Sequence, residues 1–177
     1  MARFLIADTH FDDEDALEYH MRPFNDLDHM NETLVHNWNR VVSHEDTVIV
    51  LGDFTGPNVE YRVSEDWASL LNGEKVFVLG NHDNMSSKQI DRSKMYDKYV
   101  FKQDGYQFYC THKPDKIPSD WTGWGVHGHS HQLHPQDYPL YNYQHKRINV
   151  SAENLGYTPI RVSAITEMLD AITHSHH

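Results

Sequence analysis

Residues 47–53 have the sequence TVIVLGD, in which five β-branched or aliphatic residues are followed by Gly52 and Asp53. A short apolar run that stops at a glycine is typical of a strand buried on both faces of a sheet. Residues 3–7 and 75–79 form runs of the same kind. We therefore predict three central strands in the first half of the chain.

Helical patterns separate these strands. Between the first two, apolar residues recur every three or four positions and share one helical face: Leu27, Met30, Leu34, Trp38 and Val41. Asn25 or Asp26 can cap the start of this helix, and a shorter helix is predicted near residues 64–71. The resulting order β-α-β-α-β predicts a parallel sheet with right-handed crossovers.

The second half of the chain has a different pattern. Residues 99–102 and 107–110 flank the turn sequence Asp104-Gly105 and predict a hairpin. Further strands are predicted at 125–127 and 147–150, loops at 113–125 and 134–144, and a last helix at 163–172. We expect one domain over residues 1–172 and a polar, His-rich tail at 173–177.

Charge and composition exclude several classes of protein. Acidic residues outnumber basic ones 26 to 15, which gives a net charge of −11 and disfavours binding to long nucleic acids. No apolar run approaches the roughly 18 residues of a membrane span, and the acidic start of the chain is unlike a secretory leader. The single cysteine, Cys110, cannot form an intrachain disulfide. We therefore expect a soluble, cytoplasmic protein.

Five polar clusters each begin where an apolar run stops. Such clusters meet beyond the carboxyl ends of the strands in an open α/β sheet. Two-residue spacing in extended chain also turns paired side chains to the same side, and the glycines at 52, 80 and 128 permit sharp turns. The clusters are Asp8-Thr9-His10, Gly52-Asp53, Gly80-Asn81-His82-Asp83, Thr111-His112 and Gly128-His129-Ser130-His131.

The donors in these clusters are imidazole, carboxylate and amide groups without thiolates. This set suits Mn, Fe, Zn, Ni or Co better than a structural zinc site, and its seven candidates are too many for one tetrahedral ion. A carboxylate such as Asp53 can bridge two ions about 3.5–4 Å apart. One Asp-x-His or Gly-Asp alone often arises by chance or as a turn, but the complete ordered set predicts a centre of two divalent ions, with Mn²⁺ favoured.

The ordered clusters, together with Asn37-Trp38-Asn39 and Leu51-Gly-Asp-Phe54, resemble the calcineurin-like metallophosphoesterase superfamily, above all its small, capless bacterial, archaeal and phage members. The resemblance extends from residue 3 to about residue 172. It implies an α/β fold, a four-layer α/β/β/α sandwich of two mixed sheets. By the family pattern, one metal is held by Asp8, His10 and His131 and the other by Asn81, His112 and His129, with Asp53 bridging them.

The resemblance also implies catalytic roles. His82 would contact the phosphoryl group and protonate the leaving oxygen, positioned by Asp83. Arg22, in Arg22-Pro23-Phe24, is a candidate substrate contact, with a surface or helix-entry role as the alternative. Other histidines, His20 among them, lie in polar stretches and are interpreted as solvated surface residues.

We expect hydrolysis of a phosphoester in which a metal-bridging hydroxide attacks phosphorus. Without a cap domain, only loops would select the substrate, which we expect to be small and which could be derived from a nucleotide. We expect phosphodiesters to be hydrolysed faster than phosphomonoesters. The loop aromatics either stack on such a substrate or serve ordinary loop packing: Trp121, Trp124, Tyr138, Tyr141 and Tyr143. The alternatives are a catalytically idle scaffold that binds proteins and a structural metal-binding domain. The presence of His82 argues against the scaffold.

Overall fold

A computed structural model describes residues 1–81, 83, 94–131 and 138–175, which form two five-stranded mixed sheets. The first sheet has four parallel strands and one antiparallel edge strand, in the spatial order β10 (Ile160–Arg161), β1 (Arg3–Ile6), β2 (Thr47–Leu51), β3 (Glu74–Val78) and β4 (Lys94–Tyr96). The second has the order β5 (Tyr99–Gln103), β6 (Tyr106–Cys110), β7 (Trp124–His127), β9 (Arg147–Asn149) and β8 (Tyr141–Asn142). The predicted parallel sheet and hairpin are confirmed.

Four α-helices and two short 3-10 helices complete the described fold. They are α1 (Glu14–Tyr19), α2 (Leu27–Val41), α3 (Tyr61–Leu70), α4 (Val162–Ser175), Pro114–Lys116 and Ala152–Leu155. The Asp26 side chain accepts the first-turn N–H of His29 at 2.8 Å, so Asp26 caps α2. Helix α4 runs through Ser175, so residues 173–175, expected as tail, are helical.

The strands of the first sheet have two buried faces, as their unbroken apolar runs require. On β1, Leu5 belongs to a core cluster that also contains residues of the second sheet and of α4, whereas Phe4 and Ile6 pack with α2. The two sheets therefore lie face to face, with α2 and α3 outside the first, and the predicted α/β sandwich is confirmed. The outer face of the second sheet is covered by the segment with the 3-10 helix Pro114–Lys116, since Trp121 packs on Tyr109.

Several elements escaped the sequence analysis because each is too short for periodicity to register. Strand β10 has two residues and gains its structure by pairing with β1, Phe4 opposite Arg161. Helix α1 has only six residues, and the side chain of Asp13 caps it by accepting the N–H of Ala16. No helix in the described ranges is both long and apolar enough to cross a bilayer.

The direction of the strands decides where the polar clusters lie. Strands β1, β2 and β3 are parallel to one another, and β6 is parallel to β7. Each of these five strands is followed by one of the polar clusters. The clusters are therefore presented at the carboxyl ends of both sheets, on one side of the molecule.

Candidate metal centre

Two groups of donor atoms form at the carboxyl ends of the strands. Within each group the donor atoms lie within 4.8 Å of one another. The groups are Asp8, His10 and His131, and Asp53, His112 and His129. The amide oxygen of Asn81 lies 3.0 Å from Nε2 of His112 and so adjoins the second group. The structure thus brings together all seven residues that the sequence analysis proposed as ligands.

The Asp53 carboxylate lies between the two groups. Its Oδ2 is 3.3 Å from Nε2 of His112 and 3.8 Å from Nε2 of His10. One oxygen is therefore near a histidine of each group. This is the placement that a carboxylate shared by two ions requires.

In three of the four histidines of the two donor groups, Nδ1 is hydrogen-bonded to an oxygen acceptor. Nδ1 of His10 lies 2.8 Å from the Asp13 carboxylate, that of His112 lies 2.9 Å from the Leu51 carbonyl, and that of His131 lies 3.0 Å from the Glu153 carboxylate. Such a bond places the proton on Nδ1 and leaves Nε2 with a lone pair. The neighbouring oxygens therefore orient these imidazoles so that Nε2 is the nitrogen that could bind a metal ion.

The backbone is bent sharply at four of the candidate ligands. Asp8, His10, Asp53 and His129 have φ between 49° and 65°, the left-handed region that side-chain-bearing residues seldom adopt. Such conformations cost of order 1–3 kcal/mol each and cluster at functional sites. Here they turn the chain at the strand ends while the side chains face the centre.

Glycines keep the loops of the centre close together. Gly52 has φ of 85°, and a Cβ there would overlap the His112 ring. Gly80 and Gly128 do not have positive φ, in contrast to the sharp-turn role expected for them. A Cβ at 80 would overlap the Asp53 backbone, and one at 128 would overlap the Ala7 side chain. At these two positions glycine is required for space.

Arg22 is buried beneath the centre, which corrects its interpretation as a surface residue or a substrate contact. Its side chain is 0 % exposed and donates to the carbonyls of Asp8 and Thr9, at 2.6 and 2.8 Å. It also pairs with Glu153 at 2.8 Å. Although burial opposes ionisation, the His131 hydrogen bond and the Arg22 charge hold the pKa of Glu153 well below its usual range. Arg22 therefore positions the backbone of the first ligand loop.

Asp83 acts on the backbone of the second ligand loop. Its two carboxylate oxygens accept the N–H groups of Asp53, Phe54 and Gly80 at 2.7–2.9 Å. Burial raises the pKa of Asp83. These bonds hold Asp53 in place, a positioning role that the sequence analysis did not foresee. His82, the predicted proton donor, lies outside the described residues.

The donor set fits divalent cations. The carboxylates of Asp8 and Asp53 belong to residues only 0 % and 1 % exposed, and each lies in a group with two imidazoles. Buried charges require a partner of opposite charge or a metal ion. The Arg22 guanidinium binds the Asp8 carbonyl and not its carboxylate. A divalent cation in each group would offset the charge of the buried carboxylate there.

Two clefts adjoin the centre. The first, about 310 Å³, is lined by His10, His131 and Asp53 together with Tyr19 and His20 of the α1 region. The second, about 470 Å³, reaches the other ligand group and is lined by residues that include Asn81, His112 and Tyr109.

The loop aromatics that were considered for substrate stacking all have packing contacts within the protein. Trp121 lies against Tyr109, and Trp124 against Tyr143. Tyr138 lies edge-on to His127, and Tyr141 packs on the core cluster between the sheets. Among the described residues that line the two clefts, none of these loop aromatics occurs. These contacts support the interpretation as loop packing.

The sequence analysis missed three residues of the centre. Asp13 had a usable signal, since it stands three positions after His10 in an acidic run. Glu153 had none, because it lies 22 positions from His131 and 131 from Arg22. His20 stacks on His131 with ring centroids 3.6 Å apart, so its interpretation as a solvated surface histidine was wrong. Burial, then the charge of His131, lowers the pKa of His20 to about 4, which keeps its ring neutral.

Comparisons with known proteins agree with this geometry. The family model of calcineurin-like phosphoesterases matches residues 2–161. The uncharacterized protein MJ1445 of Methanocaldococcus jannaschii is 37 % identical over 168 residues, which cover 94 % of this chain and 90 % of that protein. The crystal structure of the Aquifex aeolicus protein of unknown function AQ665 has the same fold. It matches with a TM-score of 0.74 and 23 % identity over 94 % of this chain and 98 % of that one.

Proposed function

The chain belongs to the calcineurin-like phosphoesterase family, and from this premise we propose that it hydrolyses a small phosphodiester with the help of two divalent metal ions. One ion would be held by Asp8, His10 and His131 and the other by Asn81, His112 and His129, with Asp53 contacting both. The observation that carries the proposal is the Asp53 carboxylate between two compact donor groups.

The bound ions would supply a Lewis acid for the phosphoryl oxygens and a nucleophile from water. The oxygen of water would join phosphorus as the bond from phosphorus to the leaving oxygen breaks. The leaving oxygen would take a proton from His82, and the proton that water loses would restore His82. Asp83 and Arg22 hold the two ligand loops through their backbone hydrogen bonds, so that Asp53 and Asp8 keep their positions. The reaction needs no further co-reactant.

The two clefts favour a diester over a monoester. A diester carries an organic group on each side of phosphorus. The first cleft is lined by residues of both ligand groups and the second by Asn81 and His112, so each organic group would have a cleft beside the centre. A monoester would occupy only one of them. The net charge of −11 disfavours long polyanions, so a short phosphodiester is the substrate we infer.

With Mn²⁺ we expect kcat/KM for bis(p-nitrophenyl) phosphate to exceed that for p-nitrophenyl phosphate by about tenfold, as one additional organic group is bound. The measurement compares both esters and duplex DNA on one metal-loaded preparation, with EDTA-treated protein as the control. A preference for the monoester or for duplex DNA would contradict the diester proposal. Absence of hydrolysis by fully loaded protein would favour the scaffold or the structural metal-binding domain.

His82→Ala is expected to keep both ions while kcat falls by about 10²–10⁴, the usual scale of general acid catalysis. The fall should be smaller for a p-nitrophenyl ester than for an alkyl ester, because the better leaving group needs less protonation. Metal analysis and kcat measured on both esters check this. His36→Ala, an exposed position on α2, is the matched control. Loss of one ion from the His82→Ala protein would make His82 a ligand and overturn its role.

A further inference from the structure

The second cleft is basic, in contrast to the protein as a whole. Its lining includes Lys98, Lys113 and Lys116, and among its described lining residues Asp97 is the single acidic one. Within the described part of the chain, none of the three ammonium groups forms an ion pair. A protein with a net charge of −11 thus concentrates three cations in one cleft.

This basic cleft adjoins the candidate metal centre. Asn81 and His112, both assigned to one ion, line it as well. Lys113 directly follows the candidate ligand His112 in the chain, and both line this cleft. Lys98 is held over the Tyr109 ring at 5.5 Å, which orients it along the wall of the cleft.

The first cleft has the opposite charge. Asp13 and Asp15 line it together with Asp53, and among its described lining residues there is no lysine or arginine. An anionic group of the substrate would be repelled there and attracted to the basic cleft. The charge difference between the clefts therefore sets the direction in which an asymmetric substrate binds.

We propose that the substrate is a phosphodiester that carries a second phosphate group, and that Lys113, with Lys98 and Lys116, binds this second phosphate. A terminal phosphate carries a charge of about −1.5 to −2 at neutral pH, whereas a carboxylate carries a single negative charge. Three ammonium groups therefore favour the phosphate. The inference rests on the proposed function. It adds that the reacting phosphorus lies at the metal centre and the second phosphate in the basic cleft.

The test uses two diesters that release the same leaving group. They are the p-nitrophenyl ester of thymidine 5′-phosphate and the same compound with an additional 3′-phosphate. For the metal-loaded protein we expect the 3′-phosphate to raise kcat/KM about 10- to 100-fold, the range of a hydrogen bond to a charged group. In the variant Lys113→Gln/Lys116→Gln the ratio between the two substrates should fall towards about one.

A control and a binding measurement separate this effect from general damage. Lys102→Gln, on the exposed side of β5, removes one positive charge outside both clefts and should keep the ratio of the parent protein. Calorimetry should show thymidine 3′,5′-bisphosphate binding about tenfold more tightly than thymidine 5′-phosphate to the parent protein, and equally to the double variant.

The outcomes distinguish the two proposals. Equal kcat/KM for the two diesters in the parent protein, or an unchanged ratio in the double variant, would overturn the second-phosphate site and leave the phosphodiesterase activity standing. Failure to hydrolyse either diester would overturn the proposed function. Equal affinity of the parent protein for the two thymidine phosphates would overturn the second-phosphate site by a measurement that does not depend on activity.

Discussion

Replacing Asp53 with asparagine is expected to remove both metal ions and with them nearly all phosphoesterase activity. Asp53 is the carboxylate placed between the two donor groups, and asparagine keeps its size but loses its charge and one of its metal-binding oxygens. Asparagine also tolerates the left-handed backbone at this position, where φ is 49°. The fold should therefore survive. Metal analysis of the purified variant, with circular dichroism, measures both parts of the expectation.

His10→Ala and His112→Ala are the matched variants for this experiment. Each removes one imidazole from one donor group. Each should therefore lower the affinity for mainly one of the two proposed ions. Two tightly bound ions in the Asp53→Asn protein would rule out the bridging role.

Arg22→Met is expected to lower the free energy of unfolding by about 3–5 kcal/mol, the cost of removing one partner of a buried ion pair. The side chains of Arg22 and Glu153 are 0 % and 1 % exposed, so methionine would leave the Glu153 carboxylate and the Asp8 carbonyl without their buried cation. Urea unfolding in the presence of EDTA measures the change apart from metal binding. Arg62→Met, at an exposed position on α3, should change stability by less than about 1 kcal/mol.

The pH dependence of unfolding gives a second measure of the same pair. Arg22 and His131 hold the pKa of Glu153 below its usual range despite burial. The ionised Glu153 carboxylate therefore contributes fully to the free energy of unfolding above its unfolded-state pKa of about 4.3. This contribution is lost as the pH falls towards the lower pKa of Glu153 in the folded state. Arg22→Met should reduce this loss. An unfolding free energy equal to that of the parent at pH 7 would contradict the structural role assigned to Arg22.

The central strands and the long helix could be predicted from the sequence because each carries its own periodic or continuous apolar signal. The polar clusters could also be predicted, because each one directly follows a predicted strand and so lies at the edge of the sheet. Short elements could not be predicted. β10 exists as a strand because its two residues pair with β1, and no local pattern records that pairing.

The order of polar clusters in the sequence determined by itself that the candidate metal ligands would follow the strands of an α/β fold. Tertiary structure alone decided which oxygens orient the imidazoles, which charge lies beneath the centre and which cleft is basic. From its sequence context, Arg22 was interpreted as a surface residue or a substrate contact. In the structure it is buried, because it pairs with Glu153, which lies 131 positions away in the chain. Local propensity is encoded in neighbouring residues, whereas burial and charge pairing depend on residues that meet only after the chain has folded.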